Sequence, residues 1–264
     1  MDVLILGAGT MGRGIAEVFA SKGFPTWVYE PHSHAYEKAQ KLLSSKGEQI
    51  HLLDTLPSFI SHEVVIEAIP EELELKKQAF IELESRLSPS TVVATNTSSL
   101  SVHALAHDLG YKERFLGWHF FNPPTRMPLV EVIPTTFTAG EVVRKSMEIL
   151  RLVGKTPLLA PDLPGFIVNR IARPYYIEAL RLAERGEASP EVIDQLLEGI
   201  GFRMGPFRLM DFIGIDVNHA VTCKVWEGLW HPPRFRPSWL QAQKVAAGHT
   251  GRKAGQGFYD YKKE

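Results

Sequence analysis

Two ionisable side chains stand inside otherwise apolar stretches of the sequence and could form an acid–base pair. His119 lies within Gly117–Phe121 (GWHFF), and Glu131 lies within Leu129–Ile133 (LVEVI). A polar group that is buried needs a partner. If the two stretches are neighbouring strands, the carboxylate can fix the tautomer of the imidazole and stabilise its protonated form, as in a general base. The alternative is a satisfied core histidine beside an unrelated glutamate, and periodicity alone does not decide between the two.

A short polar segment follows another strand pattern. Asn96-Thr97-Ser98-Ser99 comes directly after Thr91–Thr95, and open α/β sheets bind their ligands where strands end. Asn96 and Ser98 are therefore candidates for binding a ligand, with Asn96 assigned to the cofactor. Ser98 could equally be the N-cap of a following helix, which is the more common role of such a serine.

A glycine-rich turn predicts a dinucleotide site. Gly7-Ala8-Gly9-Thr10-Met11-Gly12 follows the apolar run Val3–Leu6 and opens a helical pattern. Gly7 permits the tight turn, Gly9 lets the backbone approach a pyrophosphate, and Gly12 allows close packing of helix and strand. The first N–H groups of the helix, at Thr10 and Met11, bind phosphate.

An acidic residue completes this motif. Glu30 ends the next strand pattern, where a carboxylate binds the 2′-hydroxyl of the ribose. A carboxylate there would repel the 2′-phosphate of NADP, so the sequence predicts NAD. The alternative is a structural glycine turn with a surface glutamate.

Alternating strand and helix patterns position these residues. Strands are predicted at Val3–Leu6, Thr26–Glu30, Val64–Ile69, Thr91–Thr95, Phe115–Phe121, Leu129–Ile133 and Thr156–Ala160. Helices are predicted at Thr10–Lys22, Ser33–Lys46 (ended by Gly47), Glu72–Leu87 and Thr138–Val153. This alternation is typical of a doubly wound, Rossmann-type parallel sheet, which we assign to residues 1–162 as the NAD-binding domain. Residues 163–264 show only helical patterns and are assigned to a small all-α C-terminal domain, for which the resemblance described below implies substrate binding and dimerisation.

The composition is that of an ordinary globular protein. Among 264 residues, Lys and Arg total 29 and Asp and Glu total 30, so no nucleic-acid partner is expected. No apolar run approaches the ~20 residues of a membrane span, and no membrane association is expected. The single cysteine, Cys223, cannot form an internal disulfide, which favours a cytoplasmic location.

The sequence resembles the L-3-hydroxyacyl-CoA dehydrogenase family. The matching segments, in the order of the family, are GAGTMGRGIA at Gly7–Ala16, NTSSL at Asn96–Leu100, HFFNP at His119–Pro123, LVEVI at Leu129–Ile133, PGFIVNR at Pro164–Arg170, MGPFRLMD at Met204–Asp211 and KAGQGFYDY at Lys253–Tyr261. They run from end to end of the chain, and HFFNP, LVEVI and PGFIVNR in succession are highly specific.

The resemblance implies roles for the candidate residues. It identifies His119 as the catalytic base and Glu131 as its orienting carboxylate. Ser98 matches the serine that hydrogen-bonds the 3-oxygen of the substrate, and Asn169 matches an asparagine beside the histidine and the substrate.

Two further residues match positions near the nicotinamide ribose. They are Glu71 and Lys76, in the segment that follows the strand pattern at Val64–Ile69. The alternative is that both belong to a solvated helix start.

The activity implied is the reversible, NAD-dependent oxidation of an (S)-3-hydroxyacyl-CoA, such as 3-hydroxybutyryl-CoA, to the 3-ketoacyl-CoA. A place in fatty acid metabolism and a homodimer formed through the C-terminal helical domain are expected with it. Relatives that oxidise a free 3-hydroxy acid, such as a sugar acid, share the same catalytic residues, so that activity stays an alternative. A non-catalytic NAD(H)-binding regulator is a third possibility, against which the retention of all four catalytic candidates argues.

The sequence departs from the family in two places. Family members carry a helical hairpin after the second strand that covers coenzyme A, whereas residues 31–63 leave room for one helix and little more. Pro128 stands where the family often has lysine. Both departures predict a weakened grip on coenzyme A and leave the hydride chemistry unchanged.

Overall fold

The computed structural model describes residues 1–44, 46 and 49–261. The contacts of the chain divide it into two compact units, Met1–Leu163 and Pro164–Glu264. Each unit is described by itself below.

The first unit is built on a sheet that has eight strands among the described residues, in the order β3-β2-β1-β4-β5-β6-β7-β8. The strands are β1 Val3–Leu6, β2 Thr26–Tyr29, β3 Ile50–Leu53, β4 Val64–Glu67, β5 Val92–Thr95, β6 Phe115–Phe120, β7 Leu129–Pro134 and β8 Thr156–Leu159. The helices are α1 Thr10–Ala20, α2 Ser33–Leu43, α3 Leu73–Glu84, α4 Val102–Ala106 and α5 Gly140–Leu152. This is the predicted Rossmann-type architecture, with most elements a few residues shorter than predicted.

Strand β7 runs against the direction of the strand beside it. The first six strands in the sheet order, from β3 to β6, run parallel, whereas β7 is antiparallel to β6 and β8 is parallel to β7. The reason is the short connection from Phe120 to Leu129, because a parallel return needs a crossover of a dozen or more residues. This hairpin aligns β6 and β7 residue by residue.

Strand β3 is absent from the sequence prediction. Ile50–Leu53 pairs in parallel with β2 at the edge of the sheet. It is only four residues long and its His51 side chain is exposed, so its apolar pattern is weak. The predicted helix from Ser33 ends at Leu43, and the expected stop at Gly47 lies outside the described residues. In the described part of the chain, β2 is thus followed by one helix and an immediate return to the sheet, without a helical hairpin.

A buried apolar cluster on one face of the sheet determines which way the site residues point. Trp118 and Phe120 of β6, with Val130 and Val132 of β7, belong to the buried apolar cluster that includes residues of α1 and α5. Because side chains alternate along a strand, the residues between them face the opposite side. One of those residues is His119.

The second unit is all-α in its described residues. Its helices are α6 Val168–Glu184, α7 Pro190–Gly199, α8 Pro206–Ile213, α9 Ile215–Gly228 and α10 Trp239–Ala246. Helix α8 begins with Pro206 and is separated from α9 by Gly214 alone, whose φ is +106°. Among the described residues, no helix combines the length and the apolar character that crossing a membrane would require.

Candidate active site

The candidate residues of the first unit follow strands that end level with one another. Leu6 at the end of β1 pairs with Tyr29 of β2 and with Glu67 of β4, and Glu67 pairs with Thr95 of β5. The loops after these four strands therefore emerge side by side. This is the edge at which open α/β sheets bind their ligands.

The glycine turn after β1 leaves an open space at the start of α1. Gly7 has a φ of +98°, and a Cβ there would lie 2.9 Å from the carbonyl oxygen of Ala68. A Cβ on Gly12 would lie 1.9 Å from the carbonyl oxygen of Gly7, whereas a Cβ on Gly9 would meet no atom within 4 Å. Gly7 and Gly12 thus permit close backbone contacts that a side chain would prevent, whereas Gly9 faces open space.

The start of α1 fits a phosphate group. Gly9 is the N-cap and supplies no side-chain hydrogen bond, and the first turn contains no acidic residue. Thr10 is exposed and Met11 is partly buried. Helix N-termini attract anions through their N–H groups and the helix dipole, and here no side chain of the described residues competes for that role.

Glu30 lies directly after β2 and its carboxylate faces the glycine turn. One carboxylate oxygen accepts a hydrogen bond from the backbone N–H of Ala8 at 3.0 Å, and the other accepts bonds from the backbone N–H and Nδ1 of His32 at 3.2 and 2.8 Å. Burial alone raises the pKa of Glu30, but these hydrogen bonds outweigh it and lower the pKa below its ordinary value. An ionised acceptor thus stands beside the phosphate-binding turn.

His119 and Glu131 are direct cross-strand neighbours. The antiparallel register of β6 and β7 pairs the two residues, and His119 Nδ1 lies 2.8 Å from Glu131 Oε2. His119 is 5% exposed and Glu131 is fully buried. The ring of Phe121 lies 4.5 Å from the imidazole ring, centroid to centroid. The structure thus brings together the two side chains that the sequence singled out.

Asn96 connects the loop after β5 to the strand of the histidine. Strand β5 pairs with β6 as far as Thr95 and Gly117, and β6 continues beyond that point. Asn96 Oδ1 accepts the backbone N–H of Phe120 at 2.8 Å, so a side chain extends the pairing where the backbone of β5 turns away. This contact fixes the backbone next to His119.

Glu71 holds the loop that carries Ser98. Glu71 Oε1 accepts hydrogen bonds from the hydroxyl of Thr97 at 2.8 Å and from the backbone N–H groups of Ser98 and Ser99 at 2.8 and 2.9 Å. The hydroxyls of Ser98 and Ser99 lie 3.2 and 3.0 Å from the same oxygen. One carboxylate oxygen therefore organises three consecutive residues of this loop.

The N-cap interpretation of Ser98 is wrong. The helix that follows, α4, begins at Val102, and its N-cap is Ser101, whose hydroxyl accepts the backbone N–H of Ala104. Ser98 lies in the loop before that helix and faces Glu71.

The interpretation of Glu71 and Lys76 as a solvated helix start is also wrong. Lys76 is 1% exposed, and its Nζ lies 2.5 Å from Glu67 Oε1 and 3.4 Å from Glu71 Oε2. It also donates to the carbonyl oxygen of Ile69 at 3.1 Å. Although burial raises the pKa of Glu71, Lys76 and the hydrogen bonds from the Ser98 loop lower it below its ordinary value.

Glu67 is a functional candidate that the sequence analysis passed over. It is fully buried at the end of β4, and besides Lys76 it accepts the backbone N–H of Ile69 at 2.7 Å and the hydroxyl of Thr95 at 2.6 Å. The sequence does contain a signal for this residue, because a carboxylate that ends an apolar strand needs a buried partner. Its partner, Lys76, belongs to the next helix.

Lys155 is a second candidate for a positioning residue that the sequence analysis did not identify. It is 9% exposed, and its Nζ donates to the carbonyl oxygens of Pro124 at 2.5 Å and Met127 at 2.9 Å. Burial, with a smaller effect of Lys22, lowers its pKa. Lys155 thus stabilises the connection between β6 and β7, which directly follows the strand of His119. Nothing in the local sequence indicates this contact, because both partners are backbone oxygens distant in the chain.

Asn169 lies in the second unit. It is the second residue of α6 and is partly buried. Its place beside the substrate stays a prediction.

Comparison with known proteins gives matches over both units. The family model "3-hydroxyacyl-CoA dehydrogenase, NAD binding domain" matches residues 2–53 and 45–163, and the model of the C-terminal domain of the same family matches residues 165–261. The chain belongs to the 3-hydroxyacyl-CoA dehydrogenase family. Membership confirms the predicted family, fold class, NAD cofactor and enzyme class, an NAD-dependent 3-hydroxyacyl-CoA dehydrogenase.

Three relatives within this family illustrate the similarity. The 3-hydroxyadipyl-CoA dehydrogenase of Escherichia coli is 43% identical over 99% of this chain, which spans only 59% of that relative's length. The probable 3-hydroxybutyryl-CoA dehydrogenase of Deinococcus radiodurans is 38% identical, with 97% of this chain and 99% of the relative covered. The crystal structure of (S)-3-hydroxybutyryl-CoA dehydrogenase from Ralstonia eutropha has a TM-score of 0.90 and 33% identity, and 98% of each chain is covered.

Proposed function

We propose that this chain catalyses the reversible oxidation of an (S)-3-hydroxyacyl-CoA thioester to the 3-ketoacyl-CoA, with His119 as the general base and Glu131 as its orienting carboxylate. The observation that carries the proposal is the 2.8 Å contact between His119 Nδ1 and Glu131 Oε2. It lies on the part of β6 that extends past the end of β5, at the ligand-binding edge of the sheet.

Proton transfer is assigned to Nε2 of His119, because Nδ1 donates to Glu131. NAD, when bound, accepts the hydride from C3 of the substrate. Nε2 takes the proton of the 3-hydroxyl group, and the buried carboxylate of Glu131 stabilises the imidazolium that forms. In the reverse direction the same nitrogen returns the proton to the oxygen.

Ser98 and Asn169 are proposed to bind the 3-oxygen of the substrate. The Ser98 hydroxyl donates to this oxygen as negative charge develops on it, and the Asn169 amide adds a second donor. The bond from the Ser98 backbone N–H to Glu71 supports this role, since it holds the serine before the substrate arrives. The hydroxyl would exchange its 3.2 Å contact with Glu71 for the substrate oxygen, because it has one proton to donate.

The NAD site is assigned to the residues of the glycine turn and the neighbouring strand ends. Gly7, Gly9, Thr10, Met11 and Gly12 are proposed to hold the pyrophosphate. Glu30 is proposed to accept the 2′-hydroxyl of the adenosine ribose, and Glu71 and Asn96 to lie near the nicotinamide ribose. Lys76 supports that end of the site by holding Glu71 and the carbonyl oxygen of Ile69.

The acyl groups for which the relatives are named differ in how their chains end. One relative is named for 3-hydroxyadipyl-CoA, whose chain ends in a carboxylate, and another for 3-hydroxybutyryl-CoA, whose chain ends in a methyl group. We propose a CoA thioester as the substrate and a place in fatty acid metabolism. A cytoplasmic setting is supported by the single cysteine.

A homodimer formed through the second unit is proposed as well. Val192 and Leu196 of α7 and Ile200, its C-cap, are 45%, 64% and 75% exposed. Their spacing of four residues places them on one face of the helix. An exposed apolar stripe of this kind is typical of an interface.

The deciding experiment follows NADH absorbance with acetoacetyl-CoA and, separately, with free acetoacetate. We expect oxidation of NADH with the thioester only. Glu131→Gln should impair turnover with unchanged NADH binding, because a neutral amide no longer stabilises the imidazolium. Turnover of the free acid without the thioester would replace the proposal with the free hydroxy-acid dehydrogenase. Binding of NADH without turnover of either would leave the regulator.

A further inference from the structure

Helix α1 carries an arginine whose side chain reaches back over the glycine turn. Arg13 directly follows Gly12 and is partly buried, and its Nη1 donates to the carbonyl oxygen of Ala8 at 2.5 Å. Because the Cα–Cβ bonds of a helix tilt toward its N-terminus, a long side chain near the start of a helix covers the residues before it. The guanidinium therefore lies beside the turn that precedes α1.

The charge of Arg13 has no acidic partner in the described part of the chain. The acid one helical turn further along α1, Glu17, pairs with Lys46 at 3.3 Å. A guanidinium carries five N–H donors, and among the described residues that of Arg13 donates to one neutral carbonyl oxygen. Several charged donors are thus left for an anionic ligand.

Arg13 and Glu30 bind the two polar groups of one residue in the turn. Glu30 Oε2 accepts the backbone N–H of Ala8 at 3.0 Å, while Arg13 donates to the carbonyl oxygen of Ala8. The nitrogen and oxygen of one residue lie about 3 Å apart, so Arg13 Nη1 and Glu30 Oε2 are at most about 9 Å apart. A cation and an anion therefore flank the position proposed for the adenosine ribose.

These two charges favour different cofactors. NAD has a 2′-hydroxyl on this ribose and NADP has a 2′-phosphate, and dinucleotide-binding domains use an acid for the first and an arginine for the second. Hydrogen bonds lower the pKa of Glu30, so its carboxylate is ionised at neutral pH and repels a phosphate. Arg13 attracts the same phosphate.

We propose that Arg13 is a second determinant of cofactor choice, whose guanidinium forms the cationic part of a 2′-phosphate subsite that Glu30 keeps closed to NADP. The inference rests on the assignment of Glu30 to the adenosine ribose in the proposed function. Arginine binds phosphate through paired, charge-assisted hydrogen bonds. Removal of the carboxylate charge is then sufficient to admit NADPH, because the cation that binds the phosphate is already in place.

The test measures the Kd of NADH and of NADPH from the fluorescence of the reduced nicotinamide, without a thioester. Glu30→Gln keeps an acceptor for the N–H of Ala8 and removes the charge, and it should tighten NADPH binding roughly 10–100-fold, as for hydrogen bonds to a charged group. Addition of Arg13→Met should remove most of this gain and leave the Kd of NADH nearly unchanged, whereas Arg13→Lys should retain part of the gain. Arg144→Met, at an exposed position of α5, is the matched control and should change neither Kd.

The outcomes separate this inference from the proposed function. A gain of equal size with and without Arg13→Met overturns the subsite and leaves Glu30 at the ribose, because relief of repulsion alone would explain it. Loss of the gain in His32→Ala but not in Arg13→Met also overturns it, since the imidazole bonded to Glu30 would then supply the charge. Equal weakening of NADH and NADPH binding in Arg13→Met overturns it as well, because Arg13 would then only support the turn. An unchanged ratio of the two Kd values in Glu30→Gln contradicts the assignment of Glu30 itself and this inference with it.

Discussion

Replacement of Glu71 tests whether the loop of Ser98 is held in place by a single carboxylate. Glu71→Ala removes the acceptor of five hydrogen-bond donors from Thr97, Ser98 and Ser99. It also removes the ion pair with Lys76. The loop would then lose its contact with the segment after β4 while its connection to β6 through Asn96 is retained.

The expected magnitude follows from these contacts. A hydrogen bond to a charged acceptor contributes about 1.5–3 kcal/mol, but one carboxylate oxygen offers only two lone pairs, so the five contacts count as two bonds. With a side chain that is 31% exposed, water replaces part of the loss, and we expect the free energy of unfolding to fall by about 2–4 kcal/mol. Glu71→Gln keeps one acceptor and should lose about 1 kcal/mol. A displacement of Ser98 of about 1 Å should lower kcat roughly 10²-fold.

The assay measures kcat and KM for acetoacetyl-CoA and for NADH together with denaturant unfolding. Glu74→Ala, an exposed acid in the first turn of α3, is the matched control and should keep full activity. Since the pKa of Glu71 is lowered in the folded chain, its contribution should be complete above the unfolded value of about 4.3 and vanish as the pH falls through the folded value. A kcat of Glu71→Ala within threefold of wild type, or an effect confined to KM for NADH, would refute the positioning argument.

The remaining predictions concern the base, the cofactor, the dimer and the grip on coenzyme A. His119→Gln should bind NADH normally and lower turnover by roughly 10²–10⁴-fold; a loss below tenfold removes this residue from the mechanism. Glu30→Ala should narrow the preference for NADH over NADPH in kcat/KM, because charge repulsion and a hydroxyl acceptor are lost together, and an unchanged ratio would show that Glu30 does not contact the ribose. Leu196→Glu should give a monomer in size-exclusion chromatography with light scattering and Gln195→Glu should not; a monomeric wild-type chain contradicts the dimer. Because the described part of residues 31–63 holds no helical hairpin, KM for acetoacetyl-CoA should be high with an ordinary kcat, whereas saturation at low micromolar concentration would contradict a weak grip.

The sequence identified residues with chemistry more reliably than it identified the contacts between them. His119 and Glu131 stood out because each is polar within an apolar strand. Their pairing depends on the antiparallel hairpin of β6 and β7, whose short connection after Phe120 rules out a parallel return. Edge strand β3 was missed for a different reason, since an edge strand is covered less completely and needs fewer apolar residues.

The contacts of Glu71 and Lys155 could not be predicted from the sequence. Each depends on partners that are distant in the chain, which are the loop after β5 for Glu71 and two backbone oxygens for Lys155. Hydrophobic periodicity indicates which face of an element is buried but not which polar groups meet there. A motif match can identify such a residue without explaining what it holds.

The polar contacts around the proposed site fall into two groups, one at the ends of the strands and one in the loops that follow them. Glu67 joins Lys76 to Thr95, which links the ends of β4 and β5 below the loops. Above them, Glu71 fixes the Ser98 loop and Asn96 fixes the backbone next to His119. Asn96 and Ser98 are two residues apart, so the positions of the serine hydroxyl and the histidine are set by the same short loop. Preorganised donors need no rearrangement at the moment of reaction. This arrangement explains why Glu67 at the end of β4 and Lys76 in α3 are charged and yet buried.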